Sequence, residues 1–303
     1  MQQAQLKSSL ILLLAALIWG LAYVAQRAGM DYIGPYTFNA LRFLLGTLSL
    51  LPVLWLSRNW RSEQIRGNGM LLLSGGLLMG FLMFLACSLQ QVGLVTTSAG
   101  KTGFITGIYI VMVPLFGLLL RHKTGWNTWL GILLAVVGLY LLSVTESFTI
   151  HTGDLLILGC AVIWAIHLLT IDHFSTKVPV IKLAFLQFAF CTLLSSVVAL
   201  FAEPWQPHAV AAAWIPLLYA GVMSVGVGFT LQIFGQQGAH PAHAAIILSL
   251  EALFAAIGGW VLLSETMSTR SMLGCGLMLL GMLASQLPLA GKKERAQQAV
   301  QAT

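Results

Sequence analysis

Charge is scarce in this chain. Asp, Glu, Lys and Arg make up 8% of its 303 residues against 58% hydrophobic ones, and the mean hydropathy of +0.89 lies outside the range of soluble globular domains. That balance excludes an ordinary soluble fold and predicts an all-α polytopic membrane protein with the lipid bilayer as its surroundings. Cysteine is also sparse. Cys87, Cys160, Cys191 and Cys275 each fall inside an apolar run and form no CxxC pair, which excludes a disulfide or zinc framework and leaves core packing as their expected role. The chain has no phosphate loop, Walker sequence, nucleophile elbow or HExxH. ATP-driven transport by this chain alone therefore has no motif to rest on, and no enzymatic activity, cofactor or metal is expected. The net charge of +6 would suit nucleic acid, but the basic residues sit in short clusters between apolar runs, a pattern that sets membrane topology instead. No nucleic-acid partner is expected.

What the chain does have is a recurring stretch of about twenty apolar residues, the length that crosses about 30 Å of hydrocarbon. Ten such spans are predicted, at 8–26, 35–57, 68–88, 95–120, 126–145, 153–172, 180–201, 213–235, 241–263 and 271–289. The short connections at 89–94 and 236–240 predict antiparallel hairpins. Lys7 ahead of the first run resembles the start of a secretory signal, but no small-x-small cleavage site follows, so 8–26 is read as a span. Lys and Arg fix the orientation, because cytoplasmic segments retain them. One side holds Lys7, Arg58, Arg61, Arg66, Arg121, Lys123, Lys177, Lys182, Lys292, Lys293 and Arg295, and the other only Arg27 and Arg270. Both termini are therefore expected in the cytoplasm, with the chain in the inner or plasma membrane.

The sequence also repeats itself. Ala16, Ile18 and Trp19 recur as Ala161, Ile163 and Trp164; Pro35 with Ala40 recurs as Pro179 with Ala184; Gly131 with Gly138 recurs as Gly274 with Gly281. The expected units are 8–146 and 151–289, followed by a cytoplasmic tail at 290–303. Five spans per unit is an odd number, so the second copy enters the membrane from the opposite side, as in the inverted repeats of secondary transporters.

The stretches IWG at 18–20, PYTFNALRF at 35–43, TGFITG at 102–107 leading to Pro114, and LEALFAAIGGWVLLSE ending at Glu265 resemble the EamA-like branch of the drug/metabolite transporter superfamily. The resemblance covers nearly the whole chain. It implies ten helices in two inverted five-helix repeats around a central cavity, and small metabolites such as amino acids as cargo, commonly exported. The chain departs from the pattern at Ala252, where the second repeat often carries proline, and Glu265 has no counterpart at 121–123.

Several polar residues lie where lipid cannot satisfy them. On a helix at about 100° per residue, Ser98, Lys101, Thr102, Thr106 and Tyr109 share an arc of roughly 140°, with Gly100, Gly103 and Gly107 opposite. This predicts one wall of a solvated path. Glu251 falls near mid-membrane, where it is read as a proton-coupling or substrate-amine site, or as half of an ion pair with Lys101 or Arg42. Arg42 suits a solute carboxylate, with snorkelling or pairing to Asp31 or Glu251 as alternatives. Trp19, Tyr23 and Gln26 share a face of the first span, and Trp164 repeats Trp19 with His167 beside it. Gln187 is a further cavity candidate, as are Gln90, Gln91 and Gln232. His240 and His243 read as a polar mouth or a pH-sensing gate. Glu251 lies three turns from His240, about 16 Å, too far for a shared metal. These features favour a secondary transporter of a small organic solute working by alternating access. A passive channel or, less well supported, an intramembrane enzyme are the alternatives.

Overall fold

A computed structural model describes residues 2–57, 69–97, 99–144, 152–263 and 267–286, and within them all side chains except those at 2–4, 27, 57, 99–101, 259, 262 and 263. The tail at 290–303, Glu265 and the side chain of Lys101 lie outside the described residues.

Backbone polar groups in hydrocarbon must be satisfied within the segment, so the apolar runs fold as helices. The first five spans are α1 (Gln2–Gly29), α2 (Pro35–Ser57), α3 (Gly69–Thr96), the pair α4 (Ala99–Gly107) and α5 (Tyr109–Leu119), and α6 (Trp126–Ser143). The second five begin with α7 (Thr152–Ser175) and α8 (Val180–Ala202). After a short α9 (Pro207–Ala212), α10 (Trp214–Leu218) runs through a π-type segment (Tyr219–Phe229) into α11 (Thr230–Gln236). The pair α12 (Pro241–Leu248) and α13 (Glu251–Leu263) follows, then α14 (Thr269–Gln286). Nine helical stretches among the described residues are long and apolar enough to cross a bilayer, and α14 adds a further helix of 18 residues. The four cysteines are free, as expected of packing residues.

One predicted connection is not a connection. Residues 89–94 continue α3 to Thr96, and the turn falls at Thr97. Gln90 and Gln91, cavity candidates in the sequence, are both buried on this helix, and Gln90 Nε2 donates to Thr106 Oγ1 at 3.4 Å. Their polarity serves the interior. The other correction concerns the fourth and ninth spans, which are broken helices. In the fourth, Ile108 interrupts the helix, with Gly103 and Gly107 upstream and Pro114 downstream weakening it. In the ninth, Leu250 N bonds Ile247 O and Ala252 N bonds Ser249 O, two tight three-residue turns, while the Ser249 hydroxyl donates back to Ile246 O at 2.8 Å.

Packing follows the internal repeat. Equivalent helices meet each other, α2 against α8 and α6 against α14. The remaining contacts come in matched pairs: α3 lies on α7 and α8 as the π segment lies on α1 and α2, and α1 lies on α12 and α13 as α7 lies on α4 and α5. At α6 and α14 the repeated glycines touch. A Cβ on Gly138 would sit 2.6 Å from Gly274 O and one on Gly131 2.6 Å from Gly281 O, so the two backbones are in direct contact. Gly138→Val should therefore cost most of the folded protein, read as loss of the monodisperse peak in detergent chromatography, whereas Gly276→Val, with open space around it, should not.

A second contact joins the repeats at the start of α2. Glu203, just after α8, accepts the backbone N–H of Tyr36 at 2.8 Å and that of Thr37 at 2.8 Å, capping α2 with a carboxylate. Glu203→Ala removes both charge-assisted bonds and should lower unfolding stability by about 1–2 kcal/mol. Denaturant titration of α2 fluorescence or circular dichroism in detergent would measure it.

Candidate functional site

The matched packing leaves a cavity between the repeats, with about 560 Å³ free of protein atoms. Its lining comes from both copies. The Trp19–Tyr23–Gln26 face of α1 forms one wall, Arg42 enters from α2, and Glu251 sits at the break that starts α13.

Helix α1 carries a polar contact to each charged wall. Arg42 Nη1 donates to Gln26 Oε1 at 2.7 Å, and three residues earlier Tyr23 Oη donates to Glu251 Oε1 at 3.3 Å. The Arg42 guanidinium is 2% exposed and lies over the rings of Phe43 and Phe38, 5.0 and 5.8 Å from their centroids. Its side chain is turned inward, which excludes the snorkelling alternative. No carboxylate pairs with Arg42 among the described residues, and Glu251 has no cationic partner there either, so of the two ion-pair alternatives for Glu251 the one with Arg42 is not formed and the one with Lys101 lies outside the described side chains. Arg42 Nε has no hydrogen-bond partner.

Between the charges lies an aromatic floor. Phe229, at the end of the π segment, is 4.6 Å from the Trp19 ring and stacks on Trp164 at 5.6 Å with 18° between planes. The repeat-related tryptophans thus clasp one phenylalanine. Trp19 is fixed by its Nε1–H, which donates to Ser224 O at 3.2 Å. The wider turns of the π segment and its glycines let α1 approach; a Cβ on Gly228 would sit 2.6 Å from Trp19 Nε1.

Of the residues singled out from sequence, Trp19, Tyr23, Arg42, Tyr109, Trp164 and Glu251 line this one space. Thr102 does not: it is fully buried with its hydroxyl unpartnered. His167 and Gln187 lie behind the wall, joined by a 3.2 Å contact from His167 Nε2 to Gln187 Oε1. Among the described side chains, the predicted polar arc of the fourth span reaches the cavity through Thr106 and Tyr109. The break at Ile108 ends the regular periodicity, and Gly107 packs against Leu139 of α6. Phe229, Ser224, Leu168, Leu248 and Cys87 also line the cavity. Nothing in their residue types marked them, although the glycine-rich GVGF before α11 was a signal of irregular backbone.

At the N-terminal end of α1 the bundle is closed. Leu12, Ala15 and Ala16 form a fully buried cluster with Ala244, Ala245, Ile246 and Leu248 of α12. Beyond it lies a histidine cluster. His122 follows α5, whose end is turned by Arg121 in the left-handed region at φ 63°, and His122 Nε2 lies 3.9 Å from Asp172 Oδ2. The His122 ring is 6.0 Å from His240, His240 is 5.8 Å from His243, and His243 Nε2 is 3.4 Å from Thr128 Oγ1. Burial, with a smaller contribution from His122, holds His240 below the usual histidine range. Among the described residues no three such side chains are arranged to hold a metal.

Bilayer-length helices in two matched sets enclose one cavity with buried Arg42 and Glu251 in its wall, the architecture of a membrane transporter. The chain belongs to the EamA-like transporter family, whose pattern it matches twice, over residues 6–144 and 151–285. It is 31% identical to an uncharacterized transporter of Archaeoglobus fulgidus over 284 residues, 93% of this chain and 87% of the relative. It is 27% identical to the uncharacterized transporter YwfM of Bacillus subtilis, covering 96% of this chain and 97% of that one. A solved structure at 19% identity superposes with a TM-score of 0.75, covering 92% of this chain and 96% of its own, and shows the same fold.

Proposed function

We propose that this chain is a secondary transporter that exports small organic metabolites, amino acids or close relatives, by alternating access. The observation that carries the reading is the pair of buried ionisable side chains, Arg42 and Glu251, facing one cavity without bonding to each other. A buried guanidinium without an acid is costly in a membrane interior, and a solute carboxylate supplies the missing charge. Glu251 would receive the solute's amine or a proton, and the Trp19–Phe229–Trp164 floor would hold its apolar part. The breaks in the fourth and ninth spans give each repeat a joint beside the cavity, as discontinuous helices do in secondary transporters. The eleven-to-two distribution of Lys and Arg supports cytoplasmic termini, which would place the cavity in the outer half and the closed cluster on the cytoplasmic side.

Purified protein in liposomes loaded with an unlabelled amino-acid mixture should take up labelled members of that mixture in a saturable counterflow. Flux that rises linearly with concentration would make it a channel, and a chemically altered solute would make it an enzyme.

A further inference from the structure

Behind the cavity wall, α7, α8 and α11 meet along a seam holding five polar side chains: Gln232 and Gln236 of α11, His167 and Ser175 of α7, and Gln187 of α8. All are at most 2% exposed. Each has a polar atom with no protein partner: Gln232 Oε1, Gln236 Oε1, His167 Nδ1, Ser175 Oγ and Gln187 Nε2. They are five of the fifteen such atoms among the described residues, and all five lie on these three helices. Buried polar groups are met by protein or by water, and a polar junction of this kind is where internal water resides.

The seam has two ends. Gln232 lines the cavity together with Leu168 and Trp164, the residues on either side of His167 in α7, and the Trp164 and His167 rings are 5.3 Å apart. One turn along α11, Gln236 Nε2 donates to Leu168 O at 3.1 Å. At the far end Ser175 closes α7, and its carbonyl accepts from the side chain of Gln237, which is exposed. The seam therefore runs from the cavity past the closed apolar cluster to the surface at that end of the bundle.

We propose that internal water along this seam conducts protons between the cavity and the α7 end of the bundle without solute, with His167 holding the proton in transit. The inference rests on the cavity described above but not on what the cavity carries. Gln187 Oε1 can only accept, so His167 Nε2 bears the hydrogen of their 3.2 Å contact and Nδ1 presents a lone pair. A proton arriving on water breaks its O–H bond and forms Nδ1–H. It leaves by the reverse step, and the Nε2–H bond to Gln187 is kept throughout. On α7 and α8 themselves the other ionisable groups are Asp154, Cys160, Asp172 and His173 of α7, and Lys182 and Cys191 of α8. The helices packed on α7, α8 and α11 add Lys7, Tyr23 and Arg27 of α1, Tyr36 and Arg42 of α2, Cys87 of α3, Lys101 of α4, Tyr109 of α5, Tyr219 of the π segment, and His240 and His243 of α12. None of them bonds or ion-pairs with the His167 ring among the described residues. Among the described residues, the hydrogen-bond partner of the ring is Gln187.

The test needs no substrate. Liposomes containing the protein and a trapped pH dye are given a potassium–valinomycin potential in solute-free buffer, beside protein-free liposomes. Wild type should acidify faster than the protein-free control. His167→Gln, which can still hydrogen-bond but does not titrate in this range, should fall to the control rate, and Gln236→Leu should do the same by interrupting the file. Wild type at the control rate, or His167→Gln conducting as wild type, would overturn the proposal. Should His167→Gln fail to fold, Gln236→Leu decides, wild-type conduction in it counting against the file. Counterflow of labelled amino acids in the same liposomes reports the transporter reading separately, so either can fail while the other stands.

Discussion

Glu251→Gln is expected to abolish uphill transport while leaving exchange. If the carboxyl group at the α13 break carries the coupling proton, each cycle draws on the proton gradient. A potential of 100 mV then supplies about 2.3 kcal/mol, enough to hold roughly a 50-fold solute gradient at one proton per neutral solute. Glutamine preserves the size of the side chain and can still accept from Tyr23, so the cavity should survive. It cannot exchange a proton, and the steady-state gradient should collapse toward unity while counterflow continues and loses its pH dependence. Full gradient-driven transport that still varied with pH would remove Glu251 from coupling. Loss of counterflow as well would assign it to solute binding.

Arg42→Gln is expected to weaken carboxylate-bearing solutes selectively. Hydrogen bonds to a charged group contribute about 1.5–3 kcal/mol, so the half-saturating concentration for such a solute should rise roughly 10- to 100-fold, with little change for the corresponding amine lacking the carboxylate. Measuring both compounds against the same variant separates recognition from damage to the fold. Equal losses for both would mean that Arg42 supports α1 through Gln26 rather than meeting the solute.

The two-repeat architecture was legible because hydrocarbon leaves the backbone few options. Runs of twenty apolar residues had to be helices, and the Trp19/Trp164 and glycine matches revealed the duplication. Residues 89–94 misled because a short uncharged stretch between two apolar runs resembles a turn, whereas the helix continues through it and carries Gln90 and Gln91 into the interior. The charges at the cavity were readable for a related reason: Arg42 and Glu251 had no business in lipid. Their mutual separation was not, since it depends on Gln26 and Tyr23 of α1 standing between them. Phe229 escaped notice because an apolar residue in an apolar segment carries no signal, and only the π-type backbone brings it between the two tryptophans.

The contacts of α2 with α8 and of α6 with α14 have a consequence for how the chain can be divided. Each joins a helix to its own duplicate, so neither half owns its closing surface; each borrows it from the other. A gene severed between α6 and α7 should yield two fragments that recover one another in the membrane and co-purify through a tag on either. A bulky side chain at Gly138 in one fragment should release its companion. The covalent link would then be a convenience of stoichiometry, with the backbone-to-backbone glycine contacts supplying the cohesion.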